Sequence, residues 1–135
     1  MHEQLPIVEF AFPGPLRDRL VSAILAGRKT ATTSLLHEYE VGNEPLPVVG
    51  HRGAVIDSDG QRVAVIHTTA VRIVPLRDVP LDHVLAEGEG YGTVTDWLVG
   101  HTGFWSSEAM KAELGEDFTI TDSSLVVLEQ FRVVS

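Results

Sequence analysis

The chain has 135 residues, enough for one domain with a real core, and 44 % of them are apolar, so folding requires neither metal nor disulfide. The absence of cysteine excludes zinc-ribbon and thiol-nucleophile chemistry, and no apolar run reaches the ~18 residues of a membrane span. The net charge of −9, from 10 Lys+Arg against 19 Asp+Glu, argues against a partner gripped through many phosphates.

Residues 1–6 read as a loose terminus with no basic-then-apolar leader, so a cytoplasmic location is expected. Ile7–Phe12 reads as a short strand stopped by Pro13-Gly14. Leu16, Leu20 and Ile24 then recur at helical spacing. Pro15 suits the first helical position, Asp18 the first turn, and Gly27 the left-handed residue that ends the helix. Thr30–Leu35 is rich in β-branched residues and reads as a strand. Lys29 therefore falls at a helix-to-strand corner, where a side chain can be aimed at a ligand. Side chains alternate along a strand, so Lys29 and Thr32 can share a site only if Lys29 lies in the irregular corner before the strand begins.

His37-Glu38-Tyr39-Glu40 leads into a loop around Gly42, Asn43 and Pro45. Tyr39 could stack on a base, or be a half-buried loop tyrosine. The clearest β signal is 48–56 followed by 63–74, joined by the turn Asp57-Ser58-Asp59-Gly60. A calcium loop is rejected there, because Val55 would fall where the first carboxylate belongs. Pro75–Val79 is a connection and Pro80 starts a short helix through Ala86. In Glu87-Gly88-Glu89-Gly90 the glycines allow tight backbone geometry, so a carboxylate can be pushed into a cleft; a solvated acidic turn is the plain alternative. Thr93 caps the next helix, with Asp96 three residues on. Trp97 and His101 share one face of it. Trp97 reads as a core anchor, and His101 as a proton carrier or as a hydrogen-bonding support for the acidic loop. Ser106 is expected to cap a last helix ending near Gly115. Phe118–Thr121 and Leu125–Val134 read as closing strands. Several strands with short helices favour a small barrel. The six histidines form no metal-ligand pattern, and no phosphate loop is present, so no metal and no cofactor are expected.

Gly27-x-Lys29-x-x-Thr32 resembles the signature of the ASCH family, Gly-x-Lys-x-x-Thr-x-Arg, with Ser34 in place of the arginine. Pro13-Gly14-Pro15-Leu16-Arg17-Asp18, the Glu87–Gly90 loop, Trp97 and His101 resemble the larger bacterial members. The resemblance runs from about Glu9 to Phe131. It implies a single α+β domain over residues 1–135, a PUA-like small β-barrel with flanking short helices. It also implies an amidohydrolase of acetylcytidine-type nucleosides using Lys29, Thr32 and Glu89, with Glu87 the second choice of carboxylate. A single-strand-directed ribonuclease and a non-catalytic RNA- or nucleotide-binding module stay open. Arg28, Tyr39, Trp97 and His101 are the expected substrate-binding residues, and Arg17, Arg19, Arg28 and Lys29 could form a local basic patch. The expected partner is a modified nucleoside or short RNA, without membrane or metal; the oligomeric state is open.

The chemistry constrains the roles. Lys29 as a neutral base would need its pKa lowered by ~3 units, about 4 kcal/mol of differential interaction. A neighbouring Glu89 carboxylate would push the other way. Glu89 is therefore expected to be the base, acting on Thr32 or on water, with its pKa near or below the ordinary ~4.3, and Lys29 to stabilise developing negative charge.

Overall fold

The structure is a computed structural model describing residues 5–134. Its centre is a mixed five-stranded sheet of order β1-β3-β4-β5-β2. The strands are β1 (Ile7–Val8), β2 (Ala31–Leu35), β3 (Arg52–Ile56), β4 (Arg62–Pro75) and β5 (Leu125–Val133). β1 runs parallel to β3; the other pairs are antiparallel. Among the described residues five α-helices flank the sheet: α1 (Pro15–Leu25), α2 (Leu36–Val41), α3 (Leu81–Ala86), α4 (Val94–Trp105) and α5 (Glu108–Leu114). Among the described residues no helix is long and apolar enough to cross a membrane.

Two apolar cores form. One gathers Leu35, Val84, Trp97, Trp105, Met110, Leu114, Val126 and Leu128 beneath α3, α4 and α5. The other joins Phe10, Val21 and Ile24 to Val55, Ala64, Ile66 and Phe131. Val126 and Leu128 point to the first core, and Phe131, an odd number of residues on, to the second. A register shift between Thr68 and Ala70 interrupts the β4–β5 ladder, as a bulge that bends a sheet does.

The α+β, PUA-like class is as expected, but the small barrel does not close. The edge strands β1 and β2 are not hydrogen-bonded to each other, and a cavity lined by both lies between them. β1 is also shorter than the expected Ile7–Phe12. The chain turns at Ala11 (φ 60), and buried Arg17 holds the turn by donating to the carbonyls of Phe10 and Ala11 at 3.2 and 2.7 Å.

Local signals succeed where local chemistry decides. Pro15 opens α1, Gly27 takes φ 81 after its end, and Asp57 accepts from the amides of Asp59 and Gln61 in the β3–β4 turn. Thr93 caps α4 by accepting from the Asp96 amide at 3.1 Å. Four expectations fail. The strand expected over 48–56 begins only at Arg52. His37–Glu40 belongs to α2, whose start is held by the Glu38 carboxylate on the Leu35 amide at 2.7 Å. The cap of α5 is Ser107, which accepts from the Met110 amide. Phe118–Thr121 forms no strand; Phe118 and Ile120 pack on the first core, and Phe118 stacks on His37 with centroids 4.2 Å apart.

Candidate active site

The site begins at the corner after α1. The amides of Arg28 and Lys29 both donate to the carbonyl of Ala23, at 2.9 and 3.1 Å, so the chain curls off the helix before β2 starts at Ala31. Lys29 thus occupies the irregular corner that a shared site with Thr32 requires. The Thr30 amide donates to Ala86 at the end of α3 at 2.8 Å, which brings the acidic loop alongside. Gly88 (φ +64) packs directly on this corner: a Cβ there would lie 2.2 Å from the Arg28 carbonyl oxygen. Only glycine combines that left-handed backbone with that closeness.

Docked in this way, the loop sets Glu89 against Lys29, 60 positions away. Lys29 Nζ donates to Glu89 Oε2 at 2.8 Å and to the Ala31 carbonyl at 2.9 Å. It also sits 5.8 Å from the centroid of the Phe10 ring, within cation–π range. Lys29 is 1 % exposed and Glu89 16 %.

Behind this pair lies Glu87, fully buried, where β2, α3 and α4 meet. Trp97 Nε1 donates to its Oε1 at 2.8 Å and the Thr33 hydroxyl donates to its Oε2 at 2.5 Å. His83 Nε2 lies 3.1 Å from Oε2 and His101 Nε2 3.2 Å from Oε1. The ring of His101 stacks on Trp97 at 4.1 Å.

The two carboxylates are driven apart. Burial alone would raise the pKa of Glu87, but hydrogen bonds from His101 and His83 and the charge of Lys29 hold it well below the usual carboxylate range. At Glu89 burial prevails and raises the pKa, helped by the charge of Glu87 and only partly opposed by Lys29. The expected value near or below the ordinary one is corrected: desolvation outweighs the single ammonium.

The cavity between the edge strands measures about 730 Å³, and Lys29, Thr32, Tyr39, Glu89 and His101 all line it. Thr32 stands opposite Glu129 in the β2–β5 register, and Glu129 lines the same space while accepting from Thr68 at 2.7 Å. Burial, reinforced by the charge of Glu129, pushes the Tyr39 phenol up to about 12, which keeps its proton available for donation.

The model of the ASCH domain family matches residues 9–135. The chain belongs to the ASCH domain family. It is similar to a protein of Enterococcus faecalis V583, at 30 % identity and TM-score 0.82, covering 96 % of this chain and 76 % of that one. It is equally similar in sequence, at 30 %, to an ASCH domain from Lactobacillus crispatus JV V101, with TM-score 0.79 and coverage of 95 % and 79 %. No match was found among curated proteins.

Not every expected residue of this ASCH domain reaches the cavity. Arg28 is exposed and does not line it, and Trp97, at 0 % exposure, reaches the site only through Glu87 and His101. The basic patch does not form, because Arg17 and Lys29 are buried. The sequence reading underrated Glu87 and missed His83 and Thr33. A signal was available in the four-residue spacing of His83 and Glu87, which puts them on one helix face. Glu87, Glu89 and His101 each offer a possible metal-ligand atom within 4.8 Å of the others. A cation there would have to displace the Lys29 ammonium from Glu89 and compete with the donors already on Glu87.

Proposed function

We propose that this ASCH domain hydrolyses the amide of an N-acylated nucleoside of the acetylcytidine type. The observation that carries the reading is the ion pair of buried Lys29 with half-buried Glu89, facing a cavity also lined by Thr32. Amide hydrolysis needs a nucleophile, a base and a group that stabilises an oxyanion, and the three side chains supply these.

Glu89 removes the proton from Thr32 Oγ1, and that oxygen attacks the acyl carbonyl carbon. A carboxylate whose proton affinity is raised by burial is a stronger base than an ordinary one. Protonation of Glu89 weakens its hold on Lys29, whose ammonium is then available to the oxyanion. The tetrahedral intermediate collapses as the C–N bond breaks, and the leaving nitrogen takes the proton back from Glu89. Water, deprotonated by Glu89, then attacks the ester on Thr32, releasing the carboxylic acid and restoring the hydroxyl. Tyr39 and His101 face the substrate, Tyr39 as a surface for the base.

The test is turnover of N4-acetylcytidine by the purified protein, with cytidine and acetate followed separately in the first turnover. The reading expects cytidine to appear ahead of acetate, and Thr32→Val to remove both. Wild-type protein that releases neither product would refute it.

A further inference from the structure

The charge on the cavity lining narrows the substrate class; this rests on the proposed function and deepens it. Glu9, Glu38, Glu44, Glu89 and Glu129 line the cavity, while Lys29 is the only lysine or arginine among its described lining residues, beside two histidines, His51 and His101. Lys29 is already committed to Glu89 and to the Ala31 carbonyl. Glu9 is paired with Arg17, which leaves Glu38, Glu44 and Glu129 without a basic partner in an ion pair among the described residues. Proteins hold phosphate with guanidinium or ammonium groups, with hydroxyls and with free backbone amides, and of these only the first carry a charge to offset it. At the start of α2, beside the cavity, the Leu35 amide is taken by the protein's own Glu38 carboxylate. Directly opposed residues of an antiparallel pair carry their side chains on one face, so Glu129 stands next to Thr32. A phosphate carried close to the reacting amide would meet a carboxylate there.

We propose that this ASCH domain takes unphosphorylated nucleosides or free bases and rejects nucleotides and RNA, because its cavity opposes a phosphate with carboxylates and offers it no uncommitted lysine or arginine. A ribose hydroxyl or an amine, by contrast, finds acceptors on the same wall.

The experiment compares kcat/KM on N4-acetylcytidine, its 5′-monophosphate and a short oligonucleotide carrying the same acylated base. The monophosphate should be poorer by at least about tenfold, some 1.4 kcal/mol, and the oligonucleotide poorer still. Equal or better turnover of either phosphorylated substrate overturns the proposal while leaving the amidohydrolase reading intact. If none of the three is hydrolysed, the amidohydrolase reading fails, and calorimetric titration with cytidine and cytidine 5′-monophosphate decides the charge argument alone. Binding of the nucleoside only supports it; tighter binding of the monophosphate, or no binding of either, overturns it. Glu44 is exposed, so Glu44→Gln keeps the fold and removes one charge. It should narrow the gap between nucleoside and monophosphate, and an unchanged ratio in Glu44→Gln and Glu129→Gln together counts against carboxylate repulsion as the cause.

Discussion

Gly88 lies against the backbone of Arg28 so closely that a Cβ would come within 2.2 Å of the Arg28 carbonyl oxygen and 2.9 Å of the Lys29 nitrogen. This contact carries Glu89 onto Lys29. Gly88→Ala should therefore strain a left-handed residue and force the loop off the corner, costing roughly 2–5 kcal/mol. Thermal denaturation should show a lowered melting temperature, and the variant should lose activity even where it remains folded. A variant with unchanged melting temperature and turnover would deny the contact its role.

Glu87 should matter without touching substrate. Its oxygens meet Trp97, Thr33, His83 and His101. Glu87→Gln keeps the shape but puts an amide NH₂ where a donor already points, a loss of about 1–3 kcal/mol for the unsatisfied group. Chemical denaturation should register that loss, and kcat should fall more than KM rises, because His101 and the acidic loop lose their support.

Acid should act through the same residue. The folded-state pKa of Glu87 is depressed, so the folded state binds fewer protons there than the unfolded chain. The stability it contributes is present above the unfolded value of ~4.3 and is lost as pH falls below it. Glu89 has the opposite sign: its raised pKa favours the protonated folded form, so its contribution declines as pH rises above the unfolded value. Denaturation between pH 3 and 7 should show a steeper acid loss in wild type than in Glu87→Gln, and parallel curves would contradict the assignment.

Much of the frame was legible because it is locally encoded. Pro15 and Gly27 bracket α1, the Asp57–Gly60 turn joins β3 to β4, and Thr93 starts α4. Lys29, Thr32 and Glu89 line one cavity. The illegible parts depend on distant partners. β1 is a strand only because β3 lies beside it, and the barrel stays open because no ladder joins β1 to β2. Phe118 looked like a strand residue because an apolar residue serves a core or a ladder equally well. Glu87 looked solvated because nothing local announces that a histidine, a tryptophan and a threonine from other elements will converge on it.

Chelation separates direct side-chain chemistry from metal chemistry at Glu87, Glu89 and His101. Turnover should survive exhaustive treatment with EDTA, since Lys29 supplies the positive charge. Activity abolished by EDTA and restored by a divalent cation would assign those three residues to a metal instead.

The central claim is that Glu89 is the base beside a charged Lys29, and a pH–rate profile of wild type and Glu89→Gln on N4-acetylcytidine tests it most directly. The account predicts a wild-type rate that rises with pH as Glu89 ionises, at a pH above that of an ordinary glutamate, and then stays level. Glu89→Gln should lose at least about a hundredfold, the usual scale of a general base. A wild-type limb near pH 8 that moves to lower pH in an active Glu89→Gln protein would make Lys29 the base and contradict the account.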